Sequence, residues 1–257
     1  MDLEHARATG VAVVCIGETM VALAPAPSAS LESADDLRVS VAGAESNVAM
    51  YLADLGIPVS WLSAVGDDPL GRRVLAEVGA AGVDVGGVRH DPERPTGLLV
   101  KEPTGDRTRV HYYRGNSAAS AMGPDILDDD RLGSASVLHL TGVTAALSPS
   151  CRSLVATALA VPADERPYAI SFDVNHRPAL WPPDTAATVL RELADRADIT
   201  FVGLDEAREL WGTDLQAAVC VELVDTGLAE VGGDGLCSRH RRRPGSRVGG
   251  RQPTRTE

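Results

Sequence analysis

The sequence predicts an α/β protein with a mostly parallel central sheet, helices on both of its faces and a small inserted β lid. Three observations carry that expectation. Short apolar runs alternate with amphipathic stretches along most of the 257 residues, the pattern of repeated strand–helix–strand units. The alternation breaks once, where two extended runs flank Pro-Thr-Gly-Asp, a hairpin signature. No apolar run approaches the ~18–20 residues that a membrane-spanning helix needs.

The elements follow in order. Residues 11–17 (VAVVCIG) form an apolar run that ends at glycine, as a buried parallel strand does. Over residues 44–55, Val48, Tyr51, Leu52 and Leu55 recur at helical spacing, and Gly56 and Pro58 stop the helix. Residues 59–66 (VSWLSAVG) read as the next strand. Residues 68–82 read as a helix, with Pro69 near its start and Gly82 at its end. Residues 96–114 hold the hairpin. Strand and helix then alternate again, with strands in 135–142, 167–175 and 198–203 and helices in 148–160, 184–197 and 204–212. Residues 221–227 look like the start of a further strand, after which the pattern dissolves.

Composition narrows the functional classes. Aromatics are 4% of the chain, so the core rests on Ala, Val and Leu. The net charge of −12 argues against nucleic acid as a partner. Residues 239–257 hold seven Arg and one acid, Glu257, for +6, which leaves −12 − 6 = −18 on the rest. That basic stretch has no helical period, so residues 225–257 read as a disordered Arg-rich tail foreign to the fold. Residues 1–10 are polar, unlike a signal peptide, and are expected to be disordered. Four scattered cysteines form neither a disulfide framework nor a zinc site. These features predict a reduced, cytoplasmic chain with no membrane partner.

In parallel sheets, ligands sit at the carboxyl ends of the strands. That rule selects Gly17-Glu18, Thr141-Gly142 and Asp173-Val174-Asn175. Near them, VAGAESNVAM (41–50) places small residues before a helix, where backbone N–H groups are free to bond a ligand. Glu45 and Asn47 could bind sugar hydroxyls there, or simply cap the helix. In HYYRGNSAAS (111–120), strand alternation puts Tyr112 and Arg114 on one face and Tyr113 on the other. An arginine so placed can clamp a carboxylate; the alternative is an amphipathic edge strand. In SFDVNHRPALWPP (171–183), Asp173, Asn175 and Arg177 could face a phosphate or substrate oxygen, or form a surface loop. GDDPLG (66–71) reads as a turn that caps a helix, and His139 as a hydrogen-bonded core residue.

Together these segments resemble the ribokinase-like (PfkB) sugar kinases over residues 11–216. The Gly-Ala-Glu-x-Asn, Tyr-Tyr-Arg and Asp-Val-Asn-x-Arg-x-x-Leu-Trp forms are most similar to the 2-keto-3-deoxygluconate kinase branch. The resemblance implies a three-layer ribokinase-like sandwich, incomplete at the C-terminus, in a partial kinase domain over 11–224. Its lid strands would lie at about 36–43 and 96–114 and could pair two copies into a homodimer. The implied activity is phosphorylation of a sugar or acid-sugar hydroxyl with ATP and Mg²⁺. Gly43, Ala44, Glu45 and Asn47 match the family's sugar-binding segment, and Tyr112 and Arg114 match lid residues over the substrate. Asn175 and Arg177 match positions near phosphates and substrate, and Glu206 matches a glutamate that organises Mg²⁺ and phosphate. Gly203 stands where the family has Asn, and Ala42 where it has Gly. The family takes its catalytic base from a later Gly-Ala-Gly-Asp loop, which this sequence lacks. Asp234, in Gly-Gly-Asp, has the letters without the order, so no catalytic base is assigned and the chain is expected to be inactive. The alternatives are a sugar-binding remnant or a truncated or frame-slipped product, and fructose-type sugars or nucleosides as substrates.

Overall fold

The structure, a computed structural model, describes residues 12–26, 29–104, 107–212 and 236–238. In chain order it contains β1 (Val13–Ile16), β2 (Met20–Ala24), β3 (Arg38–Ala42), α1 (Ala44–Asp54), β4 (Val59–Leu62), β5 (Ala64–Gly66), α2 (Pro69–Ala80), β6 (Arg89–Asp91), β7 (Leu98–Thr104) and β8 (Arg107–Tyr113). Three 3₁₀ turns occupy the stretch from Ala119 to Ser134. Then come β9 (Val137–Thr141), α3 (Gly142–Leu147), α4 (Pro149–Ala160), β10 (Ala169–Asp173), α5 (Pro183–Ala194), β11 (Ile199–Gly203), α6 (Leu204–Trp211) and β12 (Leu236–Ser238).

The main sheet has the order β12-β11-β10-β9-β1-β4. All its pairings are parallel except β11 with β12. Alternating side chains divide the core between the two faces. Ile16, Leu138, Leu140, Ile170 and Phe172 pack with Leu154 and Val155 of α4 and Leu190 of α5. Val13, Cys15 and Trp61 pack with Ala49 of α1 and Val74 and Val78 of α2. The expected α/β class with a mostly parallel sheet is therefore observed.

The lid is a separate sheet of order β3-β2-β7-β8. The expected hairpin is β7–β8, and β3 lies in the expected 36–43 stretch. The sequence reading did not separate β2 from the loop after β1, yet β2 pairs with both β3 and β7. Residues 59–66 are two strands rather than one. After Leu62 the chain leaves β1, Ser63 accepts the Arg89 N–H, and β5 pairs with β6 instead. The expectations for residues 1–10 and 221–227 lie outside the described residues. So do those for the 225–257 tail, except that Leu236–Ser238 forms the sheet's edge strand.

Candidate functional site

The floor of the site is built where β1 and β9 end. A Cβ on Gly17 would overlap the Glu45 carboxyl group, so glycine there admits the acid against the strand exit. Glu45 is fully buried. Its Oε1 accepts from Thr141 Oγ1 at 2.7 Å and Thr144 Oγ1 at 2.6 Å. Burial pushes its pKa up; the two threonine bonds and the nearby Arg114 pull the other way. Glu45 thus ties the start of α1 to the end of β9, with its hydrogen bonds turned into the protein. Gly43 is also required by close approach, because a Cβ there would overlap Glu18 O and the Thr19 and Ser46 hydroxyls. Ala44 is half-buried, and Asn47, one turn into α1, is exposed.

The lid side contributes Tyr112 and Arg114. Arg114 follows β8, is 9% exposed, and stands 5.6 Å from the Tyr112 ring centroid, so the two share a face as the alternation predicts. Its Nη2 forms an ion pair with Glu18 Oε2, and Ser117 Oγ donates to Glu18 Oε1 at 2.6 Å. The pair joins the lid to the β1 exit. Tyr113, on the opposite face, is mostly exposed.

The third group follows β10 and β11. Thr141 and Asp173 are register partners across β9 and β10, which sets this group beside the Glu45 cluster. Burial and the neighbouring Glu206 raise the Asp173 pKa to about 6. Asn175 takes a positive φ of 39°, a region that Asn tolerates better than most residues. Its amide donates to Asp173 Oδ2 at 3.1 Å, and its buried Oδ1 has no partner among the described residues. Glu206 Oε1 accepts from His176 N at 2.9 Å and Oε2 from Gly203 N at 3.0 Å. Glu206 therefore reaches back from the first turn of α6 to the Gly203 N–H and pins the Asn175–Arg177 loop. Arg177 is exposed and donates to His176 O at 3.1 Å.

Hydrogen bonds, the ion pair and strand register bring Glu45, Tyr112, Arg114, Asp173 and Asn175 to the carboxyl ends of the strands. Glu206 braces the Asn175–Arg177 loop, and Asn47 and Arg177 are exposed. Asp234 lies outside the described residues. Sequence reasoning selected the Gly17-Glu18 loop by position but assigned Glu18 no role, and it passed over Ser117. The signal for Glu18 was its place directly after an apolar strand. Among the described residues, no cluster of three or more potential metal ligands occurs, and no helix is long and apolar enough to cross a membrane.

Known proteins give the same assignment. Residues 12–231 match the family model "pfkB family carbohydrate kinase". A 2-dehydro-3-deoxygluconokinase of Bacillus subtilis is 40% identical over 205 residues, covering 77% of this chain and 62% of its own. A 2-dehydro-3-deoxygalactonokinase of Haloferax volcanii is 32% identical, covering 89% and 74%. The crystal structure of a PfkB protein from Polaromonas sp. JS666 superposes with a TM-score of 0.77 at 36% identity, covering 83% and 72%. The chain spans about three fifths of the Bacillus protein's length. With fold and sequence in agreement, the chain belongs to the pfkB family of carbohydrate kinases.

Proposed function

We propose that this chain carries the sugar-binding part of an ATP-dependent kinase for acid sugars of the 2-keto-3-deoxygluconate type. The observation that carries the reading is Arg114, a lid cation held beside Tyr112 directly above the strand ends. The names of the Bacillus and Haloferax relatives support the same substrate class. In this reading Gly43, Ala44 and Asn47 meet the sugar hydroxyls, Tyr112 closes over the ring, and Arg114 and Arg177 take the carboxylate. Asn175, Arg177 and Glu206 form the phosphate side. The unpartnered Asn175 Oδ1 and the Asp173 carboxylate are oxygen donors of the kind Mg²⁺ accepts. Mg-ATP would supply the phosphoryl group and neutralise its charge. The sequence contains no Gly-Ala-Gly-Asp to provide a base, so the reading is of binding without turnover by this chain. In this reading the exposed Val39 and Tyr113 of the lid offer the contact for a homodimer.

Calorimetric titration with 2-keto-3-deoxygluconate and with fructose tests the substrate class. The expected result is saturable binding of the acid sugar and weaker binding of fructose; preference for fructose would overturn it. A coupled ADP-release assay with ATP and Mg²⁺ should show no turnover above background.

A further inference from the structure

Glu18 is 2% exposed and Arg114 9%. The two charges come from different layers, one at the exit of β1 and the other at the exit of β8, and they form an ion pair. Ser117 fixes the other carboxylate oxygen at 2.6 Å. A Cβ on Gly97 would overlap Glu18 Oε1, so the start of β7 also closes on this carboxylate. Arg114 Nε and Nη2 and Glu18 Oε2 have no hydrogen-bond partner among the described residues, so the pair is a close ion pair and not an aligned hydrogen bond. Two further titratable groups face the pair. Glu45 of α1 lies within electrostatic reach of Arg114, and Cys151 of α4 within reach of Glu18, Glu45 and Arg114. Among the described residues, Arg114 is the one positive charge in this buried cluster, and an internal carboxylate already meets it.

We propose that Glu18 is the internal counter-ion of Arg114, a positioning and specificity-determining residue that holds the guanidinium in place and competes with a ligand carboxylate for it. The proposal rests on the reading of Arg114 as a sugar-acid contact. A buried arginine without its partner is costly, and a second carboxylate restores the balance. Glu18 therefore keeps the ligand-free lid closed on the floor and lowers affinity for anionic sugars relative to neutral ones.

The test is E18Q, which keeps the shape and the Ser117 hydrogen bond but removes the charge. Calorimetry with 2-keto-3-deoxygluconate and with fructose should show the acid sugar binding about tenfold tighter to E18Q, with fructose unchanged. E18Q should melt lower than the parent without ligand and recover more of its melting temperature when the acid sugar is added. If the parent binds the acid sugar and E18Q binds both sugars as the parent does, the counter-ion role falls and the acid-sugar reading stands. If only E18Q binds the acid sugar, the counter-ion role stands and the reading for the unaltered chain falls. If neither protein binds it, the acid-sugar reading and the competition with a ligand carboxylate both fall, and only the pairing itself is left to the double-mutant cycle. A double-mutant cycle of E18Q and R114M on thermal unfolding reads the pair without any sugar. Strong coupling supports the pairing, and additive effects overturn it.

Discussion

Two acids at the strand ends carry the residue-scale consequences. Glu45 is buried with a raised pKa. Between the ordinary carboxylate range and that raised value, the folded state keeps a proton that the unfolded chain has lost. Stability therefore falls as pH rises through that window. E45Q should keep both threonine bonds and flatten this dependence, as thermal melts across the acid range would show. E45A should cost about 2–4 kcal/mol, because it leaves a cavity and strips two buried hydroxyls of their acceptor. Asp173 behaves alike, with a pKa moved from 3.8 to about 6 by burial and by Glu206. D173N should remove the loss of stability between about pH 4 and pH 6, and an unchanged slope would count against this assignment. The sequence marked Glu45 as a polar residue at a helix start. It could not show the inward turn, because that depends on Gly17, Thr141 and Thr144 converging from other elements.

At the scale of elements, the GDDPLG turn joins the body to the lid. Asp68 caps α2, accepting from Gly71 N at 2.7 Å. It also accepts from Thr96 N at 2.8 Å and from Thr96 Oγ1 at 3.0 Å. Thr96 Oγ1 in turn accepts from Gly66 N at 3.0 Å. Thr96 stands two residues before β7, so one carboxylate fixes both a helix start and the entry to the lid. Those bonds lower the Asp68 pKa against the effect of desolvation. D68A should lose about 1 kcal/mol from the cap alone, with a further loss from the freed Thr96 N–H. Chemical denaturation measures the sum, and T96V should reproduce only part of it. The cap was legible from Asp-Pro followed by a helical period. The second partner was not, because Thr96 is 28 residues away and nothing local marks it.

Across the whole molecule, legibility followed the range of the interactions. The alternation of apolar strands and amphipathic helices is local, so the parallel sheet could be read from it. β2 and the break at Ser63 depend on which distant strand each segment meets, and their sequences are as apolar as their neighbours. The same difference in range predicts how the molecule opens. The sheet face against α4 and α5 buries a continuous cluster that includes Phe172, Leu138 and Leu190, all fully buried. Among the described residues, the lid's own apolar cluster has Met20, Ala22 and Leu99 as its buried members. F172A should therefore cost about 3–5 kcal/mol, and L99A about 2 kcal/mol. The lid's other face sends Val21, with Leu23, Val41 and Leu98, into the apolar cluster of α1 and α2, and the Glu18–Arg114 pair and the Asp68–Thr96 bonds add to that contact in keeping it closed. Elements with few buried apolar contacts open at lower free energy than the core. Amide hydrogen exchange should then release β7 and β8 before β1, β9 and β10, and D68A should accelerate the lid amides while leaving the sheet amides unchanged. Uniform acceleration of both sets would mean that lid and body unfold as one unit.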